Sequence, residues 1–373
     1  MQRHGLVLGL AAALLVPLAG CSSGPAGGGG GSDGGDGDSD NGNGSSGLRN
    51  PLLAEVEDFA YQLQGNPVLD LEPIRRSGFD LVVIDYSADG SDESAFTAEQ
   101  ITALKAGDGQ PKIVLAYMSI GEAEIGRFYF DPGWITPDPR EEPDGPFELT
   151  DEAPEFLFEP NPDWPDNFKV RYWDAEWQQI VMDYLDRILD AGFDGVYLDI
   201  IDGFEFFGPE DPLGGNGERP DAASAMIDLV IAIAEHARED PGVENFLVFP
   251  QNGASIVDDD SFPPETVPDG MSQAEYAEQR RQAYWAAIDG IGAEDTFYFG
   301  DADEDNPYDP QTWTIESLDS FHEAGLTVLA IDYLTQDNAI DDFYTRARQR
   351  GWIPYASIRD LSVLTINPTQ PPD

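Results

Sequence analysis

From Pro51 onward, short apolar runs alternate with stretches whose apolar residues recur at helical spacing, and this alternation most constrains the fold. The runs cover residues 59–62, 81–85, 113–118, 195–199, 246–249, 290–293, 327–331 and 354–358. They are nearly continuous in Val, Ile, Leu, Ala and aromatics, the pattern of strands buried on both faces of a parallel sheet. The clearest helix is 175–190, where Trp177, Ile180, Val181, Tyr184, Leu185, Ile188 and Leu189 form one stripe and Gly192 stops it. Met226, Leu229, Val230, Ile233 and Ala237 repeat the pattern, as do Ile340, Phe343, Tyr344 and Ala347 before Gly351. Eight such alternations predict an α/β chain folded as a single (β/α)8 TIM barrel over residues 51–368. The rival, a doubly wound open sheet, would carry a GxGxxG turn after its first strand, and none is present.

The barrel is preceded by two other segments. Residues 1–20 hold one Arg and then an apolar run closed by Leu18-Ala-Gly-Cys21, which resembles a bacterial-type lipoprotein signal. Cys21, the only cysteine, is then the expected lipidation site, so no disulfide or cysteine-based metal site is expected. Residues 21–50, rich in Gly, Ser and Asp, read as a flexible tether. The expected location is the extracellular face of the membrane, held by the lipid at Cys21, as a monomer.

Charge narrows the partners. The chain carries 72 acidic against 19 Lys and Arg residues, a formal charge of −53, and only Lys105, Lys112 and Lys169 are lysines. Nucleic acid is excluded as a partner, and an anionic membrane surface is a poor one beyond the lipid anchor. Acid spread this evenly looks like a halophile's secreted protein and serves mostly as solvation, so only carboxylates in unusual positions are candidates for chemistry.

In a (β/α)8 barrel the site forms at the C-terminal ends of the strands. Here those ends carry Gln62, Asp85, Glu122 and Glu124, Asp199 and Asp202, Gln251 and Asn252, Glu294, Asp332 and Tyr333, and Arg359. Packing alone does not ask for acids and amides at so many strand ends. Two carboxyl groups flanking one bond are what glycoside hydrolysis needs, one to protonate the leaving oxygen and one as nucleophile or base. Asp199 and Glu294, ending the fourth and sixth strands, are the expected catalytic pair. Asp202 is either a sugar ligand or a cap for the next turn. Two long connections, 126–170 and 203–221, follow the third and fourth strands and reach the same rim. Trp134, Phe147, Phe156, Phe158 and Trp164 in the first either stack on sugars or pin the loop. The three histidines, His4, His236 and His322, do not cluster, and within residues 51–368 neither a GxSxG elbow nor a GxxxxGK[ST] loop occurs. No cofactor or metal is expected.

The segments Ile84-Asp85-Tyr86, Ala116-Tyr-Met-Ser-Ile-Gly-Glu-Ala-Glu124, Val170-Arg-Tyr-Trp173, Gly192-Phe-Asp-Gly-Val-Tyr-Leu-Asp199, Pro250-Gln-Asn-Gly253, Gly290-Ile-Gly-Ala-Glu294 and Ala330-Ile-Asp-Tyr333 occur in this order. Together they resemble glycoside hydrolase family 114 and its prokaryotic relatives, from Phe59 to Leu364. The resemblance implies a (β/α)8 barrel and endo-hydrolysis of α-1,4-linked polygalactosamine. It places the family's acid pair on Asp199 and Glu294. Asp85, Tyr117, Glu122, Tyr172, Trp173, Tyr197, Asp202, Gln251, Asn252, Asp332 and Tyr333 are the expected substrate-binding residues. The competing reading is a carbohydrate-binding lipoprotein that kept the barrel and lost turnover.

Overall fold

Each of the eight apolar runs forms a strand in the computed structural model, which describes residues 50–143, 145–209, 215–239, 243 and 245–372. The signal, Cys21 and all of the tether but Asn50 lie outside the described residues. The strands are β1 (Phe59–Tyr61), β2 (Leu81–Ile84), β3 (Ile113–Ser119), β4 (Gly195–Asp199), β5 (Leu247–Pro250), β6 (Gly290–Glu294), β7 (Thr327–Tyr333) and β8 (Ile353–Ser357). They pair in parallel and in chain order, β1 to β5 in one sheet and β6 to β8 in a second. At the junction of the two sheets Asp289 N donates to Val248 O (3.0 Å), Asn252 N donates to Gly292 O (2.8 Å), and Gln251 bridges Gly292. On the other side β8 returns beside β1. The Phe59 and Tyr355 rings lie 5.6 Å apart, and Leu63 N and Gln64 N both donate to Leu361 O. Ladder pairing does not run between β1 and β8 among the described residues, so the strands are two adjoining sheets rather than one continuous ring of ladders.

Crossover helices join successive strands: Leu71–Arg76, Ala98–Ala106, Ala175–Ala191, Ala222–Arg238, Gln273–Ala287, Thr312–Glu323 and Asp337–Gln349. Ala175–Ala191 shows why they form. Asp174 caps it by accepting from Glu176 N, and Trp177, Val181, Tyr184, Leu185 and Ile188 turn one stripe to the sheet. Gly192 then ends it at φ 80°, a left-handed conformation that glycine adopts without a Cβ penalty. β4 is buried along its whole length, as an apolar run covered on both faces should be.

Among the described residues no helix follows β8 to complete the expected eight. Residues 358–372 follow β8 with three prolines, and instead of a helix they tie back to the sheet. Thr365 N donates to Tyr355 OH (3.0 Å), and Asn367 Nδ2 donates to Ala356 O (3.1 Å). The excursion after β3 also has structure of its own. Glu122–Glu124, Asn167–Val170 and Leu157–Pro160 make a three-stranded antiparallel sheet, and Ile135–Thr136 pairs with Glu148–Leu149. Its aromatics pin it down: Phe147 and Phe156 are buried, Trp134 meets Phe156 edge-on at 5.8 Å, and Phe158 packs on Phe206 and Phe207. Among the described residues no helix is long and apolar enough to cross a membrane.

Candidate active site

The layer beneath the strand ends is polar and buried. Tyr61, Tyr117, Tyr197 and Gln251 are buried there, with the Tyr61 and Tyr197 rings 5.2 Å apart and Tyr61 OH donating to Gln251 Oε1 (3.0 Å). Gly292 makes room for it: a Cβ at that position would stand 1.7 Å from Tyr197 OH.

Asp199, ending β4, is 1% exposed. Its Oδ2 accepts from Tyr117 OH (2.7 Å) and its Oδ1 from Ile200 N (2.8 Å). Burial, and next the charge of Glu294, raise its carboxyl well above the usual range, against the pull of the Tyr117 bond. Behind it runs a buried chain of charges. Tyr117 OH also faces Glu124 Oε1 (3.2 Å), Glu124 pairs with Arg127, and Arg127 pairs with both oxygens of Asp85 (2.8 and 3.1 Å). Arg127 was missed in the sequence because it sits in a long connection, where nothing in the local pattern marks burial.

Glu294, ending β6, is held from three sides. Gln251 Nε2 and Asn252 Nδ2 (3.1 Å) donate to Oε2, and Tyr333 OH donates to Oε1. Asn252 Oδ1 accepts from Glu294 N (3.0 Å), so the same amide clamps both backbone and side chain. Burial pushes the Glu294 carboxyl up to about 7, partly offset by the Tyr333 bond. With both amides on Oε2, a proton on this carboxyl belongs on Oε1. Tyr333 can turn from donor to acceptor for it.

Three residues just past β4, β5 and β6 are left-handed without being glycine: Ile200 (φ 61°), Asn252 (φ 60°) and Asp295 (φ 51°). A β-branched residue there is an outlier, and such strain gathers at functional sites. Arg359, following β8, grips Asp295 with two bonds (2.9 and 3.0 Å) and lies 4.2 Å over the Tyr333 ring.

Above this layer opens a cleft of about 800 Å³, its mouth included, lined by Asp202, Glu205, Asn252, Glu294, Asp295, Phe299, Gln311 and Trp313 among others. Asp202 precedes the turn Gly203–Phe207, but its side chain makes no capping bond. Burial, with the charges of Glu205 and Glu122, pushes it up to about 8. Of the expected site residues, Glu294, Asn252 and Asp202 reach the cleft. Asp199 stands behind its wall.

Several expected substrate-binding residues have no surface to offer a sugar. Asp85, Tyr117, Tyr197 and Gln251 are buried in the layer behind the cleft. Asp332 is also buried and accepts from Thr296 N (2.7 Å) and Phe297 N (3.1 Å), anchoring the turn after β6. Tyr333 is buried beside Glu294 and acts on it. Tyr172 is buried with its hydroxyl on Ala222 O (3.0 Å), and Trp173 packs between Phe207 and the Arg219 guanidinium. Both belong to the packing of the excursion, not to the cleft. Phe299, Gln311 and Trp313 went unselected in the sequence. Only Trp313 left a signal there, since it falls off the apolar stripe of its helix. Among the described residues no group of three or more His, Cys, Asp or Glu side chains is placed to hold a metal ion.

Glu122 is 2% exposed and accepts from Asn161 Nδ2 (3.0 Å); burial pushes its carboxyl up from 4.5 to about 7. Between these pH values the folded chain keeps a proton that the unfolded chain has lost, so this group lowers stability as pH rises from 4.5 to 7 and leaves it lowered above. Glu122→Gln is therefore expected to stabilise the protein by roughly 3 kcal/mol at pH 8 and by almost nothing at pH 4. Urea denaturation at the two pH values checks this; an equal change at both would contradict it.

Comparison with known proteins adds a second line of information. The family profile described as glycoside-hydrolase family GH114 matches residues 45–370. An uncharacterised protein of Thermotoga maritima is 34% identical over 328 residues, 85% of this chain and 86% of that one. Another, from Methanocaldococcus jannaschii, is 31% identical over 317 residues, 83% of this chain and 78% of that one. Among solved structures, the glycoside hydrolase domain of PelA from Pseudomonas aeruginosa superposes with a TM-score of 0.52 at 15% identity, over 84% of this chain and 98% of that one. Aspergillus fumigatus Ega3, in complex with galactosamine, gives 0.51 at 18% identity, over 82% of this chain and 92% of that one. At these identities the likeness is one of fold.

Proposed function

Because the chain belongs to glycoside-hydrolase family GH114, we propose that it hydrolyses an amino-sugar exopolysaccharide of the α-1,4-polygalactosamine type, with Glu294 and Asp199 as its two carboxyls. In this reading the two sheets are parts of one (β/α)8 barrel, and the enzyme is tethered outside the cell through a lipid on Cys21. The observation that carries it is Glu294: a carboxyl on the cleft wall, oriented by two amides and a tyrosine, with its pKa pushed up to about 7. Such a group still holds its proton near neutral pH and can give it to a leaving glycosidic oxygen. Asp199, bonded on both oxygens in the layer behind the cleft wall, is the partner carboxyl that the family resemblance assigns. Water supplies the hydroxyl that the sugar gains, and its second proton returns to Glu294. The galactosamine bound by Ega3, and the carboxyls Asp202, Glu205 and Asp295 that line the cleft here, favour a substrate carrying amines.

A second assignment of the partner carboxyl has an observation of its own. Asp202 lines the cleft with Glu294, whereas Asp199 is 1% exposed. The reading is tested by incubating the purified protein in concentrated salt with polygalactosamine, partly deacetylated galactosaminogalactan and neutral glycans, then sizing products by mass spectrometry. Shortened galactosamine chains are expected. Binding without any shortening would instead identify a carbohydrate-binding protein on the same fold.

A further inference from the structure

We infer that Trp313 is a sugar-stacking residue that fixes a glycan unit beside the one being cleaved and leads the chain out of the catalytic cleft. This rests on the glycoside hydrolase reading and adds a residue and a direction to it. Trp313 begins the helix Thr312–Glu323, whose buried residues include Ile315, Leu318 and Phe321. Lying two positions before Ile315, it is turned about 200° from that residue around the helix. Its side chain stands outside the packed core and is 48% exposed, although burying it would be favourable. A single exposed apolar side chain is common on any surface, so its position decides the matter.

That position is a ridge between two depressions. On one side Trp313 lines the cleft with Glu294, Asp202 and Phe299. On the other it lines a groove with Asp258, Trp285 and Glu316, and Ser317 is shared by both. The ridge is rigidly mounted. Asp309 N donates to Phe297 O and Gln311 N to Thr296 O (both 3.0 Å), and Asp332 holds Thr296 and Phe297 from behind. An indole carried on this anchored backbone, with water on one side and Glu294 on the shared cleft wall, suits the apolar face of a pyranose. An amine on that sugar adds a cation–π attraction. The buried role of Asp332 thereby gains a purpose, since it positions the segment that carries the platform.

The test compares Trp313→Ala and Trp313→Phe with the wild type on polygalactosamine and on its trimer. For the polymer, Trp313→Ala should raise KM roughly five- to tenfold, with kcat changed by less than about twofold. Trp313→Phe should recover most of the loss, and the trimer, too short to extend far past the ridge, should respond less. An unchanged KM, or an equal loss on polymer and trimer, would overturn the inference. Should the wild type cleave neither glycan, the catalytic reading fails on its own. Stacking is then judged by affinity electrophoresis through gels containing polygalactosamine: retardation lost in Trp313→Ala supports it, whereas retained retardation, or none in the wild type, sinks it.

Discussion

Glu294→Gln is expected to lower kcat for glycan cleavage by roughly 10²–10⁴-fold while leaving the fold intact. The exchange is close to isosteric. A glutamine can turn its carbonyl toward the Gln251 and Asn252 amides and its NH₂ toward the Tyr333 oxygen, so the cage around position 294 stays filled. It loses only the transferable proton. KM should move little, because the amide keeps its place on the cleft wall. Asp199→Asn should lose a similar factor, and Asp202→Asn should retain most activity. The reverse order, with Asp202→Asn inactive and Asp199→Asn active, would transfer the partner role to the carboxyl that lines the cleft. Reducing-end release and circular dichroism on the same preparations separate chemistry from folding. Full activity in Glu294→Gln would remove it from the reaction.

The largest loss of stability is expected at Arg127. Its guanidinium is fully buried between Asp85 and Glu124, which are themselves buried, and no solvent is near to replace it. Arg127→Met leaves two carboxylates facing each other without a cation, a change of the kind that costs about 3–5 kcal/mol. Glu124, whose carboxyl burial already pushes up and Arg127 holds down, would be driven further to take up a proton, so the loss should be worse at pH 8 than at pH 5. Denaturant unfolding at the two pH values measures it. Adding Glu124→Gln to Arg127→Met should restore part of the stability, because one of the stranded charges is then gone. A drop below about 1 kcal/mol for the single variant would mean that the buried pair is not a structural tie. Because Glu124 faces the hydroxyl that holds Asp199, the variant also links the core to the site.

These elements also mark how far the sequence could be read. The strands were legible because a strand covered on both faces leaves an uninterrupted apolar run, and all eight appear within a residue or two of where the pattern put them. Asp199 and Glu294 are candidates in the sequence because a carboxyl ends each of their runs, a signal that Asp85 and Asp332 share. The path after β8 was not legible, since counting repeats supplied a helix where residues 358–372 instead tie back to the sheet through Thr365 and Asn367. Nor was the division between cleft and backing layer. Asp85, Gln251 and Asp332 sit at strand ends as expected, but whether a strand-end side chain meets solvent depends on what the neighbouring connections lay over it. Asp332 is covered by the turn it anchors, and Asp199 by its own layer of tyrosines. Trp313 lay in plain view, off the stripe of its helix, yet only the cleft beside it gives that exposure a meaning.

The most direct test of the account is the pH dependence of kcat/KM for wild-type cleavage of polygalactosamine. If the protonated Glu294 is the acid, the rate should fall tenfold per pH unit above about 7, the value to which burial pushes that carboxyl. The limb should stay in place when the fraction of acetylated units is varied, which separates it from titration of the substrate's own amines. A rate that holds level to pH 9, or no cleavage at any pH, would contradict the account.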